Sequence, residues 1–172
     1  MKKIAIISDT HSFWDTKIYN LIHECDEVWH AGDFGYSEEI EQNIQKFNIK
    51  GVYGNIDGQE IRKRYSKTLR FYCEKVKVLI THIGGYPNKY RPEIKEEIEK
   101  YRPNLYICGH SHILKIMYDK KHNLLHINPG AAGKEGFHKV RTMVLLEIHG
   151  KEIKNIQVAE LGPRVKSTKS IN

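Results

Sequence analysis

Two histidines stand two residues apart in YICGHSH, His110 and His112, directly after a short apolar run and a glycine. Other metal-capable side chains repeat the arrangement along the chain. Asp9 and His11 close the run KKIAIIS, Asp33 follows WHAG, Asn55 and Asp57 follow KGVYG, and His82 ends KVKVLIT. Taken singly, each is an ordinary residue: Asp and Asn favour turns, and a histidine at a strand exit can be merely hydrogen-bonded. Taken in order, D-x-H, G-D, G-N-x-D, H, G-H-x-H, every member falls where a short apolar strand stops. Ligands in α/β sheets gather outside the carboxyl ends of strands, so these positions are expected to converge in one crevice. Imidazole with carboxylate suits Mn, Fe, Zn and related divalent ions, and the absence of thiolate argues against a structural zinc knot.

Positioning them requires strands that alternate with helices. KKIAIIS reads as a buried strand, and Ile18, Leu21 and Ile22 then recur at helical spacing in TKIYNLIHEC. DEVWHAGD repeats the pattern, followed by SEEIEQNIQKF with Ser37 as N-cap, and IKGVYGNIDG is a third strand ending in a turn. RFYCE and KVKVLITH form an expected hairpin, and residues 92–102 a helix bounded by Pro92 and Pro103. From NLYICGH onward strands dominate: ILKIMYD, LLHINPG, TMVLLEIHG and IKNIQVAEL.

Composition sets limits on the class. A chain of 172 residues with 40% hydrophobic content suits one compact domain. The three cysteines, Cys25, Cys73 and Cys108, lie far apart without a C-x-x-C pair, which suggests neither a disulfide framework nor a cysteine zinc site and fits a reducing compartment. MKKIAIISDTH has too few apolar residues for a signal-peptide core, so a cytoplasmic location is expected. The formal charge of +7 is spread among glutamates, as in RPEIKEEIEKYR, which reads as a solvated helix face rather than a dedicated nucleic-acid surface.

With these motifs in hand, the chain resembles the calcineurin-like metallophosphoesterases, and within them the small bacterial and archaeal phosphodiesterases of the YfcE type. The likeness runs from ISDTHS to INPGAAG. It implies an α/β fold: a metallophosphoesterase sandwich of two mixed β-sheets flanked by helices, layered α/β/β/α. The expected boundaries are a single domain over 1–162 and a flexible C-terminal tail over 163–172. The resemblance further implies two divalent metal ions, manganese foremost, with Ni, Co, Fe or Zn as alternatives. Carried over by motif, Asp9, His11 and His112 are ligands of the first ion and Asn55, His82 and His110 of the second, with Asp33 bridging.

These seven residues are thereby the expected catalytic set, for in-line hydrolysis of a phosphodiester by a hydroxide that the two metals activate. The implied partner is a small phosphodiester substrate, with no membrane, no stable nucleic-acid complex, and self-association left open. The wider superfamily usually has histidine after the Asn, where this chain has Ile56; the small YfcE-like branch which the chain resembles also lacks histidine there. That difference is expected to weaken catalysis on poor leaving groups while sparing the metals. Asp57 reads either as orienting a ligand histidine or as a turn residue, His30 as a hydrogen-bonded strand histidine, and Asn128-Pro129-Gly130 as a turn shaping nearby backbone. His23, His122, His126, His138 and His149 read as structural or exposed. The alternative function is a non-catalytic, metal-binding interaction scaffold like the retromer subunit of the same fold, whose metal site is incomplete.

Overall fold

The computed structural model describes residues 1–165. In chain order the elements are β1 (Lys2–Ile7), α1 (Thr16–His23), β2 (Glu27–His30), α2 (Glu38–Lys46), β3 (Ile49–Gly51), α3 (Gln59–Arg64), β4 (Thr68–Cys73) and β5 (Val76–Thr81). They continue with α4 (Pro92–Tyr101), β6 (Leu105–Ile107), β7 (Lys115–Asp119), β8 (Leu124–Asn128), β9 (Val140–His149) and β10 (Glu152–Pro163).

Strand alternation builds the layers. In β1, Ile4 and Ile6 face one side and Ala5 and Ile7 the other, because successive side chains point to opposite faces. One five-stranded sheet runs β10-β9-β1-β2-β3, the other β4-β5-β6-β8-β7. Strands β1, β2 and β3 are mutually parallel, as are β5, β6 and β8. Ile4, Ile6, Trp29, Val144 and Leu146 of the first sheet meet Val78, Ile80, Leu105, Ile107 and Ile127 of the second in the central core. The outer face of the first sheet buries Ile18 and Ile22 of α1 and Ile40 of α2, and that of the second buries Ile94 and Ile98 of α4. The result is the expected sandwich of two mixed sheets flanked by helices.

Local signals account for the helices. Asp15 caps α1 by accepting the Ile18 N–H at 3.0 Å, and Ser37 caps α2 through Ile40 N–H at 3.1 Å. Pro92 opens α4, and Arg102 in the left-handed region (φ 52°) ends it. The turn expected after Asn55 continues into α3, which sequence reading missed. This helix has six residues, no side-chain cap and a single buried apolar residue, Ile61, so it leaves no periodic trace. Most of the expected C-terminal tail, residues 166–172, lies outside the described residues. Before it, Pro163 pairs with Val140, and the Arg164 N–H bonds the Lys139 carbonyl at 3.0 Å.

A buried guanidinium ties the layers to the loop after β8. Arg141 donates to the carbonyls of Ala132 (3.1 Å) and Leu161 (2.8 Å) and to the Asp15 carboxylate (2.7 Å). Arg141→Met should therefore leave two carbonyls and a carboxylate without their donor. The expected loss is about 2–4 kcal/mol of unfolding free energy, read from urea denaturation, and an unchanged midpoint would remove Arg141 from the supports of this loop.

Candidate metal centre

All seven candidate ligands lie beyond the carboxyl ends of parallel strands, on one edge of the sandwich. Asp9 and His11 follow β1, Asp33 follows β2, Asn55 follows β3, His82 follows β5, and His110 and His112 follow β6. Backbone hydrogen bonds lace these loops together: Asp9 N–H to Gly32 O (3.0 Å), His11 N–H to Asp33 O (3.1 Å) and Gly109 N–H to His82 O (2.9 Å). Tight turns then aim the side chains inward. Asp9, His11, Asp33, His110 and His112 all occupy the left-handed region, with φ of 53°, 45°, 58°, 67° and 58°. Such conformations cost a non-glycine residue on the order of 1 kcal/mol or more and cluster at functional sites.

The side chains form two adjoining groups. Asp9, His11 and His112 bring ligand atoms within 4.8 Å of one another, and Asp33, His82 and His110 do the same. Asn55 joins the second group, its amide oxygen 2.9 Å from His82 Nε2. Asp33 stands between the groups, with Oδ2 3.3 Å from His82 Nε2 and 3.6 Å from His11 Nε2.

Donor and acceptor bookkeeping in the two groups fits a cation. His82 Nδ1 lies 2.8 Å from the Ala31 carbonyl, which can only accept, so Nδ1 carries a hydrogen. Nε2 then faces two acceptors, Asn55 Oδ1 and Asp33 Oδ2. Each carboxylate has one oxygen held and one aimed inward. Asp9 Oδ2 accepts Ser8 Oγ–H (2.6 Å) and His110 N–H (3.1 Å), while buried Oδ1 makes no well-directed hydrogen bond and faces His112 Nε2 at 3.1 Å. Asp33 Oδ1 accepts the Ile56 N–H at 3.0 Å, leaving Oδ2 toward the histidines. His11 Nε2 is likewise buried without a hydrogen bond. Oxygen and imidazole donors without sulfur suit first-row divalent ions.

The local field follows the same geometry. Burial raises the Asp33 pKa, but the His82 hydrogen bond and charge, with the Ile56 N–H, outweigh it and hold the carboxyl below its ordinary value. Burial opposes charge on His82, yet Asp33 and Asp9 shift its pKa upward. His110 is pushed down, first by burial and then by the neighbouring charge of His82.

Several supporting residues emerge only in three dimensions. Asp57 does not orient a histidine; its carboxylate accepts Gly35 N–H (2.9 Å) and Gly54 N–H (2.8 Å), joining the loops that carry Asp33 and Asn55. Asn128 donates to Gly109 O (2.9 Å) and Ser111 Oγ (3.1 Å), clamping the turn that holds His110 and His112. His138, read from sequence as structural or exposed, packs its ring 5.2 Å from His112 and bonds Gly133 O at 3.0 Å. No spacing signal could have found it, because it lies in an irregular loop. Two glycines before ligands are explained by space: a Cβ on Gly54 would collide with the Asp33 carboxylate, and one on Gly109 would sit 2.7 Å from Asp9 Oδ2.

Among known families, the calcineurin-like phosphoesterase superfamily domain matches residues 1–151. Comparison with curated proteins by sequence gave no match. Among solved structures, one described as a novel archaeal phosphodiesterase aligns with a TM-score of 0.71 and 23% identity, covering 91% of this chain and 99% of that one. A predicted phosphoesterase from Streptococcus pneumoniae aligns with a TM-score of 0.68 and 19% identity, over 92% and 89% of the two chains. Vps29 from Entamoeba histolytica, solved in complex with zinc, has a TM-score of 0.68 and 16% identity, over 93% and 98%. At these identities the likeness is one of fold.

His30 lies behind the groups as a neutral clamp. Its Nδ1 accepts the Gly32 N–H at 3.1 Å, so Nε2 bears the proton and donates to Thr10 Oγ at 3.0 Å, while the ring stacks on Phe34. Burial pushes its pKa down to about 3. In the unfolded chain a histidine titrates near about 6.5, so the unfolded state binds the extra proton between these values and stability falls as pH is lowered through that window. With chelator present, the unfolding free energy of the parent is expected to decline from about pH 6.5 toward 4, and that of His30→Gln to decline less steeply. Equal slopes in urea titrations would assign the acid sensitivity to other groups.

Proposed function

The chain belongs to the calcineurin-like phosphoesterase superfamily, and from that premise we propose that it is a phosphodiesterase dependent on two divalent metal ions. The observation that carries this reading is the meeting of Asp33 Oδ2, Asn55 Oδ1 and His82 Nε2 beside the unbonded Asp9 Oδ1 and His11 Nε2. Asp9, His11 and His112 would hold one ion and Asn55, His82 and His110 the other, with Asp33 shared. Manganese is the first choice, with Ni, Co, Fe or Zn also suited to this donor set. When bound, such ions lower the pKa of water toward neutrality and polarise a phosphoryl oxygen.

The protein groups have separate tasks. Asp33, whose Oδ2 faces both groups, supplies the negative charge needed between two cations. Asn55 adds an oxygen without adding charge, which leaves the second position the more electrophilic. The Ala31 carbonyl fixes the His82 tautomer so that Nε2 points inward, as an outer hydrogen bond commonly does for a ligand imidazole. Ile56 is about half exposed at the position where a leaving-group acid would be sought, and it offers no proton. Esters with activated leaving groups are therefore the better substrates. A non-catalytic interaction scaffold is the alternative; the complete set of seven metal-capable side chains favours the enzyme. The proposed partner is a small phosphodiester, not a membrane or a stably bound nucleic acid.

The primary experiment uses bis(4-nitrophenyl) phosphate. Hydrolysis is expected with added Mn, Ni or Co and should disappear with chelator, whereas full turnover by chelated, metal-stripped protein would sink the two-metal reading. Asp33→Asn keeps size and removes charge. It should fold, bind less metal than the parent by elemental analysis, and lose at least about 10²-fold in rate, since even outer-sphere changes at metal sites reach that scale. Parental rate and metal content in this variant would remove Asp33 from the shared position.

A further inference from the structure

A cleft of about 310 Å³ opens from the second group of ligands, with Asn55 and His82 in its wall. Its size falls in the range of small-molecule sites, about 300–1,000 Å³. None of Asp9, His11 and His112 lines it, so the cleft runs away from the first group. Its wall also holds three cations, Arg62, Lys67 and Arg91, and one carboxylate, Glu93.

The charge on this wall is poorly compensated, unlike that of several basic residues elsewhere in the chain. Arg64 bonds Glu41 at 2.7 Å, Arg70 pairs with Glu97, and Lys50 meets Glu27 at 2.8 Å. Arg62 instead donates to two backbone carbonyls, Asp57 O (2.6 Å) and Gly54 O (3.2 Å), and lies over the Tyr53 ring at 4.3 Å. Those bonds fix its plane without neutralising it. Lys67 makes no close ion pair among the described residues, and Glu93, which bonds Arg91 at 2.6 Å and also feels the charge of Lys67, is the one carboxylate in the wall against three cations.

We infer that this cleft selects phosphodiesters whose organic group carries a second, terminal phosphate. The inference rests on the phosphodiesterase reading above and names its substrate class. A diester bound at the metal centre has a single negative charge to present there. An organic group extending past Asn55 would meet Arg62, Lys67 and Arg91, and a terminal phosphate matches them best: it is a dianion with three oxygens, and guanidinium binds phosphate through paired N–H donors. Arg62 is bonded to the carbonyl of Gly54, the residue before Asn55, so the distance from ligand to cation is set by one short loop. Nucleotides and phosphorylated inositols both offer this chemistry.

The test compares kcat/KM with Mn for two substrate pairs that differ by one phosphate: the dinucleotides pTpT and TpT, and glycerophosphoinositol 4-phosphate against glycerophosphoinositol. The parent is expected to favour the phosphorylated member of at least one pair by roughly tenfold or more, and the pair with the larger ratio identifies the source. In Lys67→Ala/Arg91→Ala, both sites being exposed, the ratio should fall toward one, while Lys63→Ala, outside the cleft, keeps the parental ratio. Thymidine 3′,5′-bisphosphate should bind metal-free parent more tightly than the double variant by calorimetry at low salt. If bis(4-nitrophenyl) phosphate is turned over but both ratios are near one, the inference fails alone. Equal bisphosphate affinity in parent and double variant also overturns it. No turnover of bis(4-nitrophenyl) phosphate overturns the phosphodiesterase reading, and the substrate class with it.

Discussion

Two aspartate oxygens and an imidazole nitrogen that need a positive partner are held together beyond the ends of parallel strands, and the local architecture is organised around that need. Asp33 Oδ2 faces His82 and His11, and Asp9 Oδ1 is buried without a hydrogen bond. A carboxylate oxygen out of water costs several kcal/mol unless charge or hydrogen bonds compensate it. Protonating a histidine supplies that charge weakly; a divalent cation supplies it fully. The raised pKa of His82 and the lowered pKa of Asp33 express the same demand from both sides.

The fold meets this demand with rigid backbone. Parallel strands deliver several loops to one edge, and hydrogen bonds between those loops hold the candidate ligands in register. Five of the seven candidate ligands sit in the left-handed region, a cost that the packed sandwich around them sustains. Asp57, Asn128 and His30 serve the same end from behind, each bonding the backbone of a loop that bears a candidate ligand. Arg141 extends this support to the loop after β8, whose Ala132 N–H reaches Ser8 O at 2.9 Å.

Beyond the metal groups, the walls differ in chemistry. Ile56 contributes its backbone N–H to Asp33 and nothing acidic to a leaving group. The cleft beside Asn55 is lined by Arg62, Lys67 and Arg91, whereas the central groups are built of imidazole and carboxylate. The loop Gly54–Gly58 thus carries the candidate ligand Asn55, a brace and the carbonyls that hold Arg62, so the position of Asn55 and the cleft charge are mechanically linked.

The succession of strands along the chain, the Ser37 cap, the Pro92 start of α4 and the metal-capable residues at strand ends were legible in the sequence, because period-2 and helical apolar spacing and Gly-Asp, Gly-Asn and Gly-His exits are local patterns, while the choice of seven among those residues came from the family resemblance. The glycines were legible as types but not as causes; only the fold brings the Asp33 carboxylate against Gly54 and Asp9 against Gly109. Helix α3 was hidden, since six residues with one buried apolar side chain have no period. Asp57 was visible but its partners were not, because Gly35 is distant in the chain and the bond is to backbone. His138 and the cluster of Arg62, Lys67 and Arg91 were invisible for the same reason: each lies in a stretch unremarkable by itself. Local spacing records what a strand or turn must be, whereas contacts between residues tens of positions apart exist only after the two sheets pack and bring their edges together.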